Sequence, residues 1–522
     1  MAGDLLRAVR PARRGLGLRR VQLLPVAALG RLRLCRLPRG HGRARGAARS
    51  RLHAAPRTVG ADLRRRAAGC RPAAAAVALW PDGGDRGGGR AQVLVGHRAW
   101  RSPARFPSRR LLRRPACGSE RGMKFGIDRL LADPALRKPL EGRRIALVAH
   151  PASVTEGLVH SLDALAALPE VRLAAAFGPQ HGLKGDKQDN MVETADELDP
   201  TYGIPVFSLY GEVRRPTARM MDSADVFLFD LQDLGCRIYT FVTTLLYLLE
   251  AASGTGKAVW VLDRPNPAGR PVEGTTLLPG WESFVGAGPM PMRHGMTLGE
   301  MGAWFVEHFK LDVDYRVIAM EGWTPGEGPG WGWPESRIWV NPSPNAASLN
   351  MARAYAGTVM IEGATLSEGR GTTRPLEVLF GAPDVDARAV LAEMRGFAPQ
   401  WMQGCAIREC WFEPTFHKHA KSLCSALMIH AEGAFYDHHA FRPWRLQALA
   451  FKAIRRLWPD YPIWRDFPYE YVFDKLAIDV INGGPALREW VDDMGSEAGD
   501  LDSMAGADEA AWIEERQRFL LY

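Results

Sequence analysis

The chain has 522 residues, 46% hydrophobic and 24% charged, which is enough apolar mass for large buried cores and excludes a wholly disordered protein. Its net charge of +9 is unevenly placed: residues 1–122 hold 29 Arg, no Lys and five acidic residues, net +24, and the remaining 400 residues carry net −15. Only the leader has the charge to attract a polyanion through counterion release, so nucleic acid is not an expected partner of the body.

The leader, 1–122, mixes Arg, Ala, Gly and Pro without sustained periodicity and is expected to be disordered, because it cannot bury enough apolar surface to offset chain entropy. A basic arm or an organelle-targeting peptide is the functional alternative; the reading adopted is upstream sequence translated from a misplaced start, with the true start at Met123. From Met123 there is no signal-peptide core. No apolar run in the chain reaches the ~18–20 residues of a membrane-spanning helix, so a cytoplasmic protein with no membrane partner is expected. The cysteines (Cys35, Cys70, Cys117, Cys236, Cys405, Cys410 and Cys424) form no CxxC pair, and neither a disulfide framework nor a metal site is expected.

Beyond Met123 short apolar runs alternate with helix-like segments, the pattern of βαβ units around a mostly parallel sheet. Arg144–Val148, Leu173–Phe177, Asp225–Phe229 and Ala258–Leu262 read as strands covered on both faces. Helices are predicted at Ser161–Leu168, at Thr217–Ser223 with Thr217 as N-cap, and at Phe241–Ser253 closed by Gly254. The strand runs stop at His150-Pro-Ala-Ser, Gly178-Pro-Gln-His-Gly-Leu, Asp230-Leu-Gln-Asp-Leu-Gly and Asp263-Arg-Pro-Asn-Pro. Ligands of open α/β sheets bind outside the carboxyl ends of the strands, so these four polar loops are expected to converge on one site.

Further along, His294 and Glu300 match no helical metal spacing; Thr297 and Glu300 read instead as a capping box. Past Glu273 the chain turns irregular and rich in Gly, Pro and Trp, and a second α/β region runs to Tyr522. It includes an aromatic-rich stretch at Trp464–Phe473 and ends in an amphipathic helix with Trp512, Ile513, Phe519 and Leu520 on one face. The boundary is placed near residue 285, giving units 123–285 and 286–522. The glycine-rich segment Ser367–Arg374 reads either as an anion-binding loop or as a tight structural one. No GxGxxG follows a strand and no GxxxxGK[ST] occurs, so no nucleotide cofactor is expected, and none of another kind.

Seven ordered strings are distinctive: FGPQHGLKG (177–185), GIPVFSLYGEVRRPT (203–217), DVFLFDLQDLGCRIYTFVTT (225–244), VLDRPNPAGRPVEG (261–274), SFVG with RHGMTLGE (283–300), NPSPNAAS (341–348) and EGATLSEGRGTTRP (362–375). On these, residues 125–522 resemble the YbbC/NamZ family of exo-β-N-acetylmuramidases. The resemblance implies a Rossmann-like domain and a smaller α/β (α+β) C-terminal domain with a sugar site in the cleft between them. It also implies hydrolysis of non-reducing-terminal N-acetylmuramic acid from cell-wall fragments during recycling.

Such hydrolysis needs a carboxylic acid to protonate the leaving oxygen and a second group to stabilise an oxocarbenium-like centre. Family members commonly read Pro-Glu-His-Gly where this chain has Gln180, and an amide cannot deliver that proton. The role must fall to another carboxylate or be lost, leaving a muropeptide-binding protein. Asp186, Asp189 and Asp230 are in reach in sequence. The expected catalytic group is Asp233, Glu368 or Glu193, with His181 and Gln180 beside it. Expected substrate-binding residues are His150, Asp230, Arg214, Arg215, Asp263, Asn266, Asn345 and Arg370; among them Arg214, Arg215 and Arg370 are expected to meet the lactyl carboxylate of a muramyl sugar.

Overall fold

A computed structural model describes residues 122–189 and 191–522. Residues 1–121 lie outside the described residues, and the expectations placed on the leader with them. The first strands are β1 (Arg144–Val148), β2 (Arg172–Gly178), β3 (Glu197–Leu198), β4 (Pro205–Ser208), β5 (Val226–Phe229) and β6 (Ala258–Leu262). They are followed by β7 (Glu273–Thr276), β8 (Pro291–Arg293), β9 (Asp314–Ile318), β10 (Val378–Ala382), β11 (Ala406–Phe412) and β12 (Cys424–His430).

Seven strands form one sheet in the order β3-β4-β2-β1-β5-β6-β9, with every pairing parallel except that of β3 with β4. The near-continuous apolar runs of β1, β5 and β6 feed two cores, because successive side chains point to opposite faces. Ile145, Leu147, Leu228, Trp260 and Leu262 pack on one face; Val148, Phe177, Phe227, Phe229 and Val261 pack on the other. Helices cover both faces. The first predicted helix ends earlier than expected, at Ala166, and the second spans Ala218–Met221, where Thr217 Oγ1 accepts from the Met220 N–H at 3.3 Å. The third spans Phe241–Ala252, and Gly254, at φ +71°, follows its end.

β9 pairs with β6 from beyond residue 285, the expected boundary, and the helix Leu298–His308 is the crossover that returns the chain to the sheet. The later part is smaller: an antiparallel sheet β10-β12-β11 packed with the helices Leu349–Thr358, Ala387–Phe397 and Pro443–Leu457. The last long helix, Ala498–Arg516, lies on the β7-β8 hairpin. Its expected apolar face is only half formed: Trp512 and Phe519 are buried, but the helix stops at Arg516 and Ile513 is 46% exposed. Cys236, Cys405, Cys410 and Cys424 are free thiols.

Candidate active site

A small cavity lies at the carboxyl ends of β2 and β5. Gln180 and His181 reach it from the loop after β2, and Tyr239 and Thr240 from the turn that starts the helix Phe241–Ala252. Ser343 and Asn345 enter from the Asn-Pro-Ser-Pro-Asn loop, Tyr355 from the helix Leu349–Thr358, Glu362 from the turn before the glycine-rich loop and Arg370 from within it. Tyr469 and Glu470 complete the lining from the aromatic-rich stretch.

Gln180 is held at both ends of its amide. Thr240 Oγ1 donates to its Oε1 at 2.8 Å, and its Nε2 donates to Glu470 Oε1 at 3.3 Å. The Tyr210 hydroxyl donates to the other Glu470 oxygen at 2.8 Å. Glu470 is only 6% exposed, and it sits at φ +45°, a region a non-glycine residue occupies when its surroundings hold it there. Burial, reinforced by the charge of Glu362, pushes its carboxyl up to about 7, against the hydrogen bonds from Tyr210 and Gln180 and the charge of Arg214.

Glu362 accepts from Arg370 Nη2 at 2.5 Å and from the Tyr469 hydroxyl at 2.8 Å. Arg370 also lies 3.0 Å from Glu368, and its Nη1 has no hydrogen-bond partner among the described residues. His181 donates through Nδ1 to the Lys187 carbonyl at 2.6 Å, and burial lowers its pKa to about 4. The ring is therefore neutral near pH 7, with Nε2 as its acceptor nitrogen. Asn345 donates to the Gln188 carbonyl at 2.8 Å.

Of the expected site residues, Gln180, His181, Asn345 and Arg370 line this cavity. The others lie elsewhere, for physical reasons. Glu368 is fully buried behind Arg370, with Lys418 at 2.9 Å and His417 at 3.3 Å. Burial opposes its ionisation, but Lys418, His417 and Arg370 outweigh this and hold its carboxyl far below the usual carboxylate range, so it has no proton to give. Asp233 is buried, accepts from the Gly235 N–H at 2.7 Å and faces His294 at 3.4 Å. Glu193 is half exposed and accepts from the Tyr471 hydroxyl at 3.0 Å and from Arg214, whose guanidinium stacks on Tyr471 and Tyr210. Arg215 stacks on Tyr247 and pairs with Glu250 on the helix Phe241–Ala252. Asp186 pairs with Lys187, at the surface.

The loops after β1, β5 and β6, expected to converge on one site with the loop after β2, spend their polar side chains on bonds within the protein. Arg264 Nε lies 2.6 Å from Asp230 Oδ1, and Ser161 donates to Asp230 Oδ2. His150 Nε2 accepts from the Gln232 N–H at 2.9 Å, and Ser153 is bound to its Nδ1 at 2.8 Å. Asp263 accepts from Thr297, from the Gly299 N–H and from the Tyr522 hydroxyl. Asn266 packs on Gly235, where a Cβ would collide with its amide, and bonds Met296 and Ala268. Four residues expected to bind substrate, His150, Asp230, Asp263 and Asn266, are thus buried corner-pieces of the loops. Glu300 is the capping partner of Thr297, as its spacing predicted, and Arg270 binds it through both oxygens. The Ser367–Arg374 segment is a tight loop, with Gly369 and Gly371 at φ near +80°, that places Arg370.

Reading the sequence missed Glu470, Glu362, Tyr210 and Tyr469. The signal was the acid set between two tyrosines in Pro-Tyr-Glu-Tyr, within a stretch already marked as aromatic.

Comparison with known proteins places these features in a family. A model of the N-terminal part of exo-beta-N-acetylmuramidase NamZ matches residues 145–350, and a model of its C-terminal part matches 353–522. The peptidoglycan beta-N-acetylmuramidase NamZ of Bacillus subtilis (strain 168) is 38% identical over 359 residues, covering 68% of this chain and 82% of the relative. Two crystal structures of DUF1343 family proteins from Bacteroides fragilis NCTC 9343 superpose with TM-scores of 0.65 and 0.58, at 27% and 24% identity. Each match covers 77% of this chain and 99% of the other, and the second bears on the fold alone.

Proposed function

Because the chain belongs to the exo-β-N-acetylmuramidase NamZ family, we propose that it removes terminal N-acetylmuramic acid from peptidoglycan fragments at the cavity beside Gln180. One observation carries the reading. Five of the seven pieces of sequence that resemble the family, separated by up to 190 residues, contribute to the lining of one small cavity that holds two carboxylates and an arginine. A glycosidase needs acids that differ in protonation, and an enclosed, mostly buried setting separates them.

Arg370 is the residue we assign to the lactyl carboxylate that distinguishes a muramyl sugar from N-acetylglucosamine. It lines the cavity and keeps Nη1 unpartnered, and a guanidinium suits a planar carboxylate. The strand order supports a Rossmann-like first domain: numbered along the chain, the six parallel strands run 3-2-1-4-5-6. No described helix is long and apolar enough to cross a membrane, and we place the protein in cytoplasmic cell-wall recycling.

The test is release of N-acetylmuramic acid from a muramyl-glucosaminyl disaccharide, alongside its glucosaminyl-terminated counterpart. Hydrolysis of the first alone is expected, and Arg370→Lys is expected to narrow the preference by tenfold or more in kcat/KM. Binding without release returns the chain to the status of a muropeptide-binding protein; equal turnover of both sugars removes the muramyl assignment.

A further inference from the structure

Gln180 poses a chemical problem that the cavity itself resolves. An amide at this position can orient and can hydrogen-bond, but it has no proton to transfer at neutral pH. What it touches is a carboxyl group. Glu470 lies 3.3 Å from the Gln180 nitrogen, lines the same cavity and comes from a loop 290 residues further along the chain. The amide cannot rotate away, because Thr240 fixes its oxygen, and Glu470 cannot swing out, because Tyr210 holds its second oxygen. The other carboxylates near the cavity are differently placed. Glu362 is engaged by Arg370 and Tyr469, and Glu368 is buried behind Arg370.

We infer that Glu470 is the proton donor of this enzyme and that Gln180 is its positioning residue, the acid having moved one hydrogen bond away from the place where the family commonly carries it. This rests on the glycosidase reading above. In the step, the Glu470 carboxyl proton passes to the glycosidic oxygen as the C1–O bond breaks, and the bonding pair leaves with that oxygen as the hydroxyl of the departing sugar. Water then adds to C1 and returns a proton to the Glu470 carboxylate, which closes the cycle with free N-acetylmuramic acid.

The groups that face Glu470 set its working range. Glu362 opposes its ionisation; Tyr210, Gln180 and Arg214 favour it. Burial leaves it protonated up to about pH 7, which is where a general acid is useful in a neutral compartment.

The experiment compares wild type, Glu470→Gln and Tyr210→Phe on two substrates, the muramyl-glucosaminyl disaccharide and para-nitrophenyl muramide, with circular dichroism to confirm folding. The glucosaminyl unit of the disaccharide leaves as an alkoxide unless protonated; nitrophenolate leaves without help. Glu470→Gln is expected to lose 10²- to 10⁴-fold in kcat on the disaccharide and tenfold or less on the aryl substrate. Tyr210→Phe removes a bond that favours the charged form, so the alkaline limb of its kcat profile is expected at higher pH than in wild type. Wild-type hydrolysis that survives Glu470→Gln within threefold, or falls equally on both substrates, overturns the assignment and leaves the muramidase reading standing. Should Glu470→Gln not fold, an unmoved or downward-moved limb in Tyr210→Phe overturns it. Absence of hydrolysis by wild type overturns both.

Discussion

At the scale of single residues, the site is built at the expense of stability. Glu470 binds its proton more tightly in the folded chain than when free, so over roughly pH 4.5 to 7 the folded state holds a proton the unfolded state has released. That contribution is complete below the free value and is lost as pH rises through about 7. Glu470→Gln has no such proton to lose, and its melting temperature is expected to rise relative to wild type between pH 5 and pH 8. The difference at pH 8 is on the order of 2 kcal/mol, a few degrees by calorimetry. A difference that does not grow with pH contradicts the buried-acid description. The same residue shows where the sequence was least legible. Gln180 and His181 were marked by a strand that stops at a polar turn, which is local. Glu470 becomes a site residue only through contacts with Gln180 and Tyr210, 290 and 260 positions away, and no local pattern records such a pairing.

At the scale of elements, capping chemistry reads well from sequence and makes a graded prediction. Thr217 and Thr297 both cap helices, but Thr297 also donates to the buried Asp263 at 2.7 Å. Thr217→Ala is expected to cost about 1 kcal/mol, the usual loss of a cap. Thr297→Ala is expected to cost about 2–3 kcal/mol, because a buried carboxylate also loses a donor. Equal losses in urea denaturation would place no weight on the Asp263 contact. Strands divide in the same way. β1, β5 and β6 are covered on both faces, which writes a continuous apolar run into the sequence. The edge strand β9, Asp-Tyr-Arg-Val-Ile, alternates between exposed and half-buried positions, and β4 begins on a proline, so neither has a run to find. The polar turns after β1, β5 and β6 looked like a binding site for a related reason: ion pairs and hydrogen bonds that lock loops together use the same Asp, Arg and Asn as those that grip a ligand.

At the scale of the molecule, the chain closes on itself at both ends of the described body. Near its start, Lys124 bridges Glu321, the Met123 carbonyl accepts from Arg337 at 2.7 Å, and Phe125 and Ile127 are buried. A chain beginning at Met123 is expected to melt within about 2 °C of full length, whereas one beginning at Arg129 is expected to melt several degrees lower, having lost the buried side chains of Met123, Phe125 and Ile127 at about 1.5–3 kcal/mol each. Near the other end, the helix Ala498–Arg516 ties the two halves together. Its Glu509 accepts from the Gly274 N–H and from Arg445, Asp502 accepts from Arg445, and Trp512 and Arg516 bind the carbonyls of His294 and Gly295. Every one of these bonds would have to break for the parts to swing apart. On this build bond breaking at the sugar, not an opening stroke, is expected to set kcat, and kcat is then expected to be insensitive to solvent viscosity.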